Sequence, residues 1–129
     1  MSIRVLLIDE HEEARAALTE RLARDDGIEI AGTVAGPAEA AATLRQDGAD
    51  LVLLDIPASD GSGPDALREL RRVTQAPIVV LITMITPALW AQAKAAGASD
   101  YLLKHIDSAR LRREIRRMAK QYAQSPQAS

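Results

Sequence analysis

The sequence predicts an α/β protein: five parallel strands in one doubly wound sheet, with helices on both faces. Three observations predict it. Five short apolar runs alternate with five amphipathic stretches, an order that gives a parallel sheet. The runs Leu51 to Leu54 and Ile78 to Ile82 are apolar throughout, as in strands covered on both faces. A chain of 129 residues suits one domain with its own core. That domain is expected over 1–123, with 124–129 a tail of linker composition.

Arg4 to Asp9 is the first strand, and it ends on an acid. Glu12 to Arg24 follows as a helix with an expected apolar face of Ala14, Ala17, Leu18 and Leu22. Asp25-Asp26-Gly27 stops it, glycine being common just past a helix end. Ile28 to Val34 alternates in part and reads as a strand nearer an edge. Gly36-Pro37 opens a second helix, faced by Ala40, Ala41 and Leu44. Leu51 to Asp55 is the third strand, again ended by an acid. Ile56 to Gly63 has loop composition, and Pro64 starts a third helix through Leu67, Leu70 and Val73.

Pro77 to Ile82 is the fourth strand, and it ends on Thr83. Thr86-Pro87 caps and starts a fourth helix that carries Leu89, Trp90 and Ala93 and finishes at Gly97. Asp100 to Leu103 is the fifth strand and ends on Lys104. Asp107 caps a last helix faced by Leu111, Ile115, Met118 and Tyr122.

Composition excludes several functions. A net charge of −2 gives no overall attraction to nucleic acid or an anionic membrane, and no apolar stretch is long enough for a span. The chain has no cysteine, which removes thiolate and disulfide chemistry and fits a reducing cytoplasm. One Trp, two Tyr and no Phe leave few platforms for stacking bases or a flavin. His11 and His105 lack metal-ligand company. The basic last helix, with Arg110, Arg112, Arg113, Arg116, Arg117 and Lys120, reads as a solvated face, and direct DNA binding through it is not expected.

Four of the five strands end on polar residues: Asp9 (with Glu10), Asp55, Thr83 and Lys104. In a parallel sheet all four emerge at the same edge. Clustered carboxylates repel one another unless a hard cation neutralises them, and oxygen-only ligands suit Mg2+. A cation flanked by a lysine and a hydroxyl makes a site for a phosphoryl group. One carboxylate is then free to act as a nucleophile and form an acyl phosphate.

These residues carry a family resemblance. Val5-Leu6-Leu7-Ile8-Asp9-Glu10-His11, Leu51 to Asp55, Ile82-Thr83 and Gly97-Ala-Ser-Asp-Tyr101-Leu-Leu-Lys104 resemble the receiver domain of two-component response regulators. Gly63 falls where that family has a loop glycine. The stretch from Gly27 to Val34, and a Leu-Leu-Lys not followed by proline, resemble the NarL/LuxR-type subfamily. The resemblance implies a flavodoxin-like (βα)5 receiver fold and a signalling domain rather than an enzyme. Asp55 would accept a phosphoryl group from a histidine kinase. Asp9, Glu10, Asp55 and the backbone carbonyl of Pro57 would hold Mg2+. Lys104 would pair with a phosphoryl oxygen, Thr83 would turn to the new phosphate, and Tyr101 would rotate inward. That rotation would alter the surface of the fourth helix, fifth strand and fifth helix, also the implied homodimer face. The tail predicts a following DNA-binding output domain.

The sequence departs from the family in places. Glu10 stands where the coordinating acid is usually Asp. Ala58 and Ser59 replace the usual Met-Pro, with Pro57 ahead of them. Met84 replaces a small residue and is expected to overhang Asp55. The span from Thr83 to Lys104 is shorter, which predicts a tighter loop. These departures motivate a rival expectation, a degenerate receiver acting as a phosphorylation-independent interaction or dimerisation module.

Overall fold

A computed structural model of the chain describes residues 2–56 and 63–123. The elements are β1 (Ile3–Ile8), α1 (Glu12–Ala23), β2 (Ile28–Val34), α2 (Pro37–Gln46), β3 (Leu51–Asp55), α3 (Gly63–Arg71), β4 (Ile78–Ile82), α4 (Pro87–Ala96), β5 (Asp100–Leu103) and α5 (Ser108–Ala123). All paired strands run parallel, in the order β2-β1-β3-β4-β5. The doubly wound α/β fold is as expected, and β2 does lie at an edge. The altered loop expected at Pro57, Ala58 and Ser59 and the tail expected over 124–129 lie outside the described residues.

The period of two along each strand divides the core. Val5, Leu7, Leu51, Leu53, Val79 and Leu81 pack on one face, against Leu18 and Leu22 of α1 and Leu111, Ile115 and Met118 of α5. Leu6, Ile8, Val52, Leu54, Ile78 and Val80 pack on the other, against α2, α3 and α4. Each large aliphatic side chain buried this way contributes roughly 1.5–3 kcal/mol. Burial on both faces is why the central strands show no polar alternation.

Two helix faces differ from expectation. Ala14 and Ala17 of α1 are exposed, and only Leu18 and Leu22 are buried. Leu89 of α4 is also exposed, whereas Ala93 and Ala96 are buried and Trp90 is half-buried. Ala14 and Leu89 share a helix face with the buried residues but lie in first turns. The first turns of α1 and α4 follow β1 and β4 at the sheet's carboxyl edge, and there Ala14 and Leu89 stand clear of the apolar layer. The cap itself is as expected: the Thr86 hydroxyl accepts from the Leu89 N–H at 3.1 Å.

At the opposite edge Arg71 ties α3 to both neighbouring loops. Its guanidinium donates to the carbonyls of Gly97 (2.8 Å), Ala76 (2.8 Å) and Thr74 (3.0 Å). Gly97 has φ +124° and ends α4 in a conformation side chains rarely adopt. With this end fixed, the carboxyl edge is where side chains are free to do chemistry.

Candidate functional site

The strand order reverses at β1 and β3, since the chain passes from β1 outward to β2 and then returns to the far side of β1. In doubly wound sheets that reversal opens the crevice where ligands bind. Ile8 pairs with Leu54, so the next residues, Asp9 and Asp55, leave the sheet side by side. β5 brings Lys104 to the same edge, its N–H donating to the Ile82 carbonyl at 2.9 Å.

Asp9 is almost fully buried, at 3% exposure. Each part of it is held. Its N–H donates to the Val34 carbonyl (3.0 Å), its Oδ1 accepts from the His11 N–H (2.9 Å), and its carbonyl accepts from Arg15 Nη1 (2.6 Å). Asp55 is 12% exposed, and its Oδ1 lies 2.6 Å from Lys104 Nζ. A cleft of about 120 Å³ runs between them, lined by Asp9, Glu10, His11, Gly36, Asp55 and Lys104 among others.

The electrostatics follow from this crowding. Burial pushes the Asp55 carboxyl above its ordinary 3.8; the Asp9 charge and hydrogen bond add to the rise. The Lys104 hydrogen bond and charge oppose it. One ammonium therefore offsets two adjacent acids, with a third, Glu10, exposed at the rim.

Among the described residues no three acids or histidines converge on one cation position. The donors at hand are nonetheless mostly carboxylate oxygens, and Mg2+ commonly takes one or two carboxylates and keeps its waters. Buried Asp9 and largely covered Asp55, side by side with Lys104 on Asp55, fit such a hard cation. Pro57, whose carbonyl was expected to join them, lies outside the described residues.

Thr83 and Met84 are both exposed, Met84 at 68%, and neither lines the cleft. The expected overhang of Met84 on Asp55 is thus not seen. Tyr101 is half-buried in β5 and packs on Trp90 of α4, ring centroids 5.3 Å apart and tilted by 57°. It also lines a larger cleft of about 610 Å³ between β5 and α5, whose lining does not include Asp9, Glu10 or Asp55. Arg15 was missed in the sequence, where Ala14 and Ala17 suggested a plain apolar face; an arginine four residues after the strand-end turn was the available signal.

The fold and this cleft define a class: a doubly wound α/β domain with adjacent acids and a lysine at its switch point. The family follows. Residues 5–116 match the response regulator receiver domain family, and the chain belongs to it. It is 30% identical over 115 residues to the DNA-binding transcriptional activator DevR/DosR of Mycobacterium tuberculosis, covering 88% of this chain and 53% of that protein. It is 35% identical over 104 residues to a protein-glutamate methylesterase/protein-glutamine glutaminase of Rhodospirillum rubrum, covering 79% of this chain and 29% of that one. Among solved structures, a LuxR-family two-component response regulator from Aurantimonas superposes with TM-score 0.82 at 26% identity, covering 94% of this chain and 87% of that chain. The chain thus spans about half or less of these curated relatives. No helix among the described residues is long and apolar enough to cross a membrane.

Proposed function

We propose that this domain is a phosphorylation-operated switch in which Asp55 is the phosphoacceptor. The Lys104–Asp55 contact of 2.6 Å beside buried Asp9 carries the reading. An Asp55 carboxylate oxygen attacks phosphorus in a kinase phosphohistidine, the P–N bond breaks, and the imidazole leaves with a proton. Lys104 moves its ammonium from the Asp55 carboxylate to a phosphoryl oxygen, where it offsets the transferred charge. Asp9, Glu10 and Asp55, with the Pro57 carbonyl, would hold Mg2+, which when bound supplies charge neutralisation for the phosphoryl oxygens.

Thr83 then turns its hydroxyl toward the phosphate and Tyr101 leaves its packing on Trp90. Those movements reshape the α4–β5–α5 surface, the proposed homodimer face, where the larger cleft already lies. The partner that loads Asp55 is a histidine kinase, in the cytoplasm. The output is a DNA-binding domain joined after a receiver unit of 1–123 through the 124–129 tail. The likeness to a DNA-binding activator supports that output. The domain itself assists its own phosphotransfer rather than turning over a substrate.

Incubation with acetyl phosphate and Mg2+, followed by intact-mass spectrometry, tests the reading. One added phosphoryl group is expected on the wild type and none on Asp55→Asn. No addition, or one that survives Asp55→Asn, refutes it and leaves the phosphorylation-independent interaction module.

A further inference from the structure

We infer that Arg15 is the positioning residue of the cation site: it fixes the Asp9–Glu10 peptide through the Asp9 carbonyl and thereby sets where those two acids present their oxygens. The inference rests on the reading of Asp9 and Glu10 as Mg2+ ligands. Three hydrogen bonds govern the turn after β1. The Asp9 N–H is taken by β2 at 3.0 Å, and the Asp9 side chain by the His11 N–H at 2.9 Å. Those two fix Asp9 up to its Cα. The peptide plane between Asp9 and Glu10 can still swing, and the Arg15 Nη1 bond of 2.6 Å to the Asp9 carbonyl closes that freedom.

The local build of α1 serves this contact. Its N-cap, His11, makes no side-chain capping bond. Arg15 instead anchors the first turn from inside the helix, its N–H donating to the His11 carbonyl at 2.9 Å while its guanidinium reaches back to Asp9. It is half-buried where Ala14 and Ala17 are exposed. A long polar side chain thus occupies the strip of α1 nearest the cleft. Groups that orient metal ligands are commonly worth ten- to a hundred-fold in metal affinity.

Charge alone predicts the opposite sign. A guanidinium near a cation site repels the cation, so its removal would tighten Mg2+ binding. Positioning predicts that removal weakens it. Mg2+ titration by calorimetry on Arg15→Met therefore separates the two. The control is Arg112→Met, which removes a 3.0 Å arginine–carbonyl bond (to Arg21) at the other end of the same helix.

Arg15→Met is expected to weaken Mg2+ binding about tenfold. Its acetyl-phosphate labelling rate at saturating Mg2+ should return to near the wild-type value, and Arg112→Met should bind Mg2+ as the wild type does. Unchanged or tighter binding by Arg15→Met, or equal weakening in both variants, overturns the inference while the phosphoacceptor reading stands. Failure of the wild type to bind at millimolar Mg2+ removes both. Should Arg15→Met not fold, Arg15→Gln carries the same comparison, its amide being too short to span to the Asp9 carbonyl.

Discussion

Replacing Lys104 by methionine puts the electrostatics of the cleft to a direct test. The substitution keeps the aliphatic stem and removes the one ammonium against Asp55 among the described residues, Asp55 being 12% exposed. Truncating one member of a buried ion pair costs about 3–5 kcal/mol, because the other charge is left unpaired. Lys104 is about one-third exposed, so water already screens part of the pair. The expected loss at neutral pH without metal is therefore about 2 kcal/mol, or a melting temperature lower by roughly 8 °C. Adding Asp9→Asn removes the like charge beside Asp55, and the double variant should recover about 1 kcal/mol of coupling.

The pH dependence has a definite sign. Asp55 titrates above its ordinary 3.8 in the folded protein. The folded state therefore binds more protons between the two values, and stability falls as pH rises through the folded pKa. Lys104 supplies the two influences that lower this pKa, so Lys104→Met raises it further and widens the window upward. The deficit of the variant should be small near pH ~4 and largest at neutral pH. Urea unfolding in chelator-containing buffer across that range measures it. A variant as stable as wild type at neutral pH, or a deficit that grows on acidification, refutes the account.

Other outcomes follow from single contacts. Asp55→Asn without metal should unfold at the same or higher urea concentration than wild type, since the amide ends the repulsion with Asp9. Arg71→Met loses bonds to the carbonyls of Gly97, Ala76 and Thr74 and should cost about 3 kcal/mol by urea titration. Gly97→Ala forces a side chain into φ +124°, with its Cβ 3.2 Å from Arg71 Cγ, and should cost about 1–3 kcal/mol by the same measurement. Tyr122→Phe removes hydroxyl bonds to the Ser99 carbonyl (2.8 Å) and Asp100 Oδ2 (3.2 Å), with an expected thermal destabilisation of about 1 kcal/mol.

The sheet was legible because burial on both faces leaves an unbroken apolar run, as in Leu51 to Leu54, that needs no tertiary knowledge to see. The convergence of Asp9, Asp55 and Lys104 was legible too, because parallel strands deliver their last residues to one edge. The failures concern the path of the chain once it has left a strand. Ala14 and Leu89 have the right helical spacing, yet nothing local says that the first turns of α1 and α4 stand clear of the core while the start of α3, at Gly63, is buried. Met84 could be placed along the chain, but its exposure depends on how the β4–α4 loop leaves the sheet. Arg15 was hidden for a related reason: its partner is a backbone carbonyl, so its position after the strand-end turn was visible in the sequence but its partner was not.

The charge count at the edge explains why these acids and this lysine occur together. Among the described residues that line the cleft, Asp9, Glu10 and Asp55 contribute −3 and Lys104 +1, leaving −2, with the Arg15 guanidinium behind the Asp9 carbonyl and outside that lining. A single divalent cation balances that sum, whereas a second lysine would leave −1 and would also compete for Asp55. Neutralising the acids entirely would lower the cost of burial but would remove the proposed nucleophile. The domain thus holds a destabilising pair of carboxylates at its switch point, tempered by the Lys104 ammonium on Asp55. On the proposed reading, phosphorylation of Asp55 draws Lys104 to the new phosphoryl oxygen, and the Asp9 carboxylate is left to face added negative charge. A more stable protein with Lys104 and Asp9 directly paired would have less reason to respond, which is why stability and switching are expected to trade against each other at these residues.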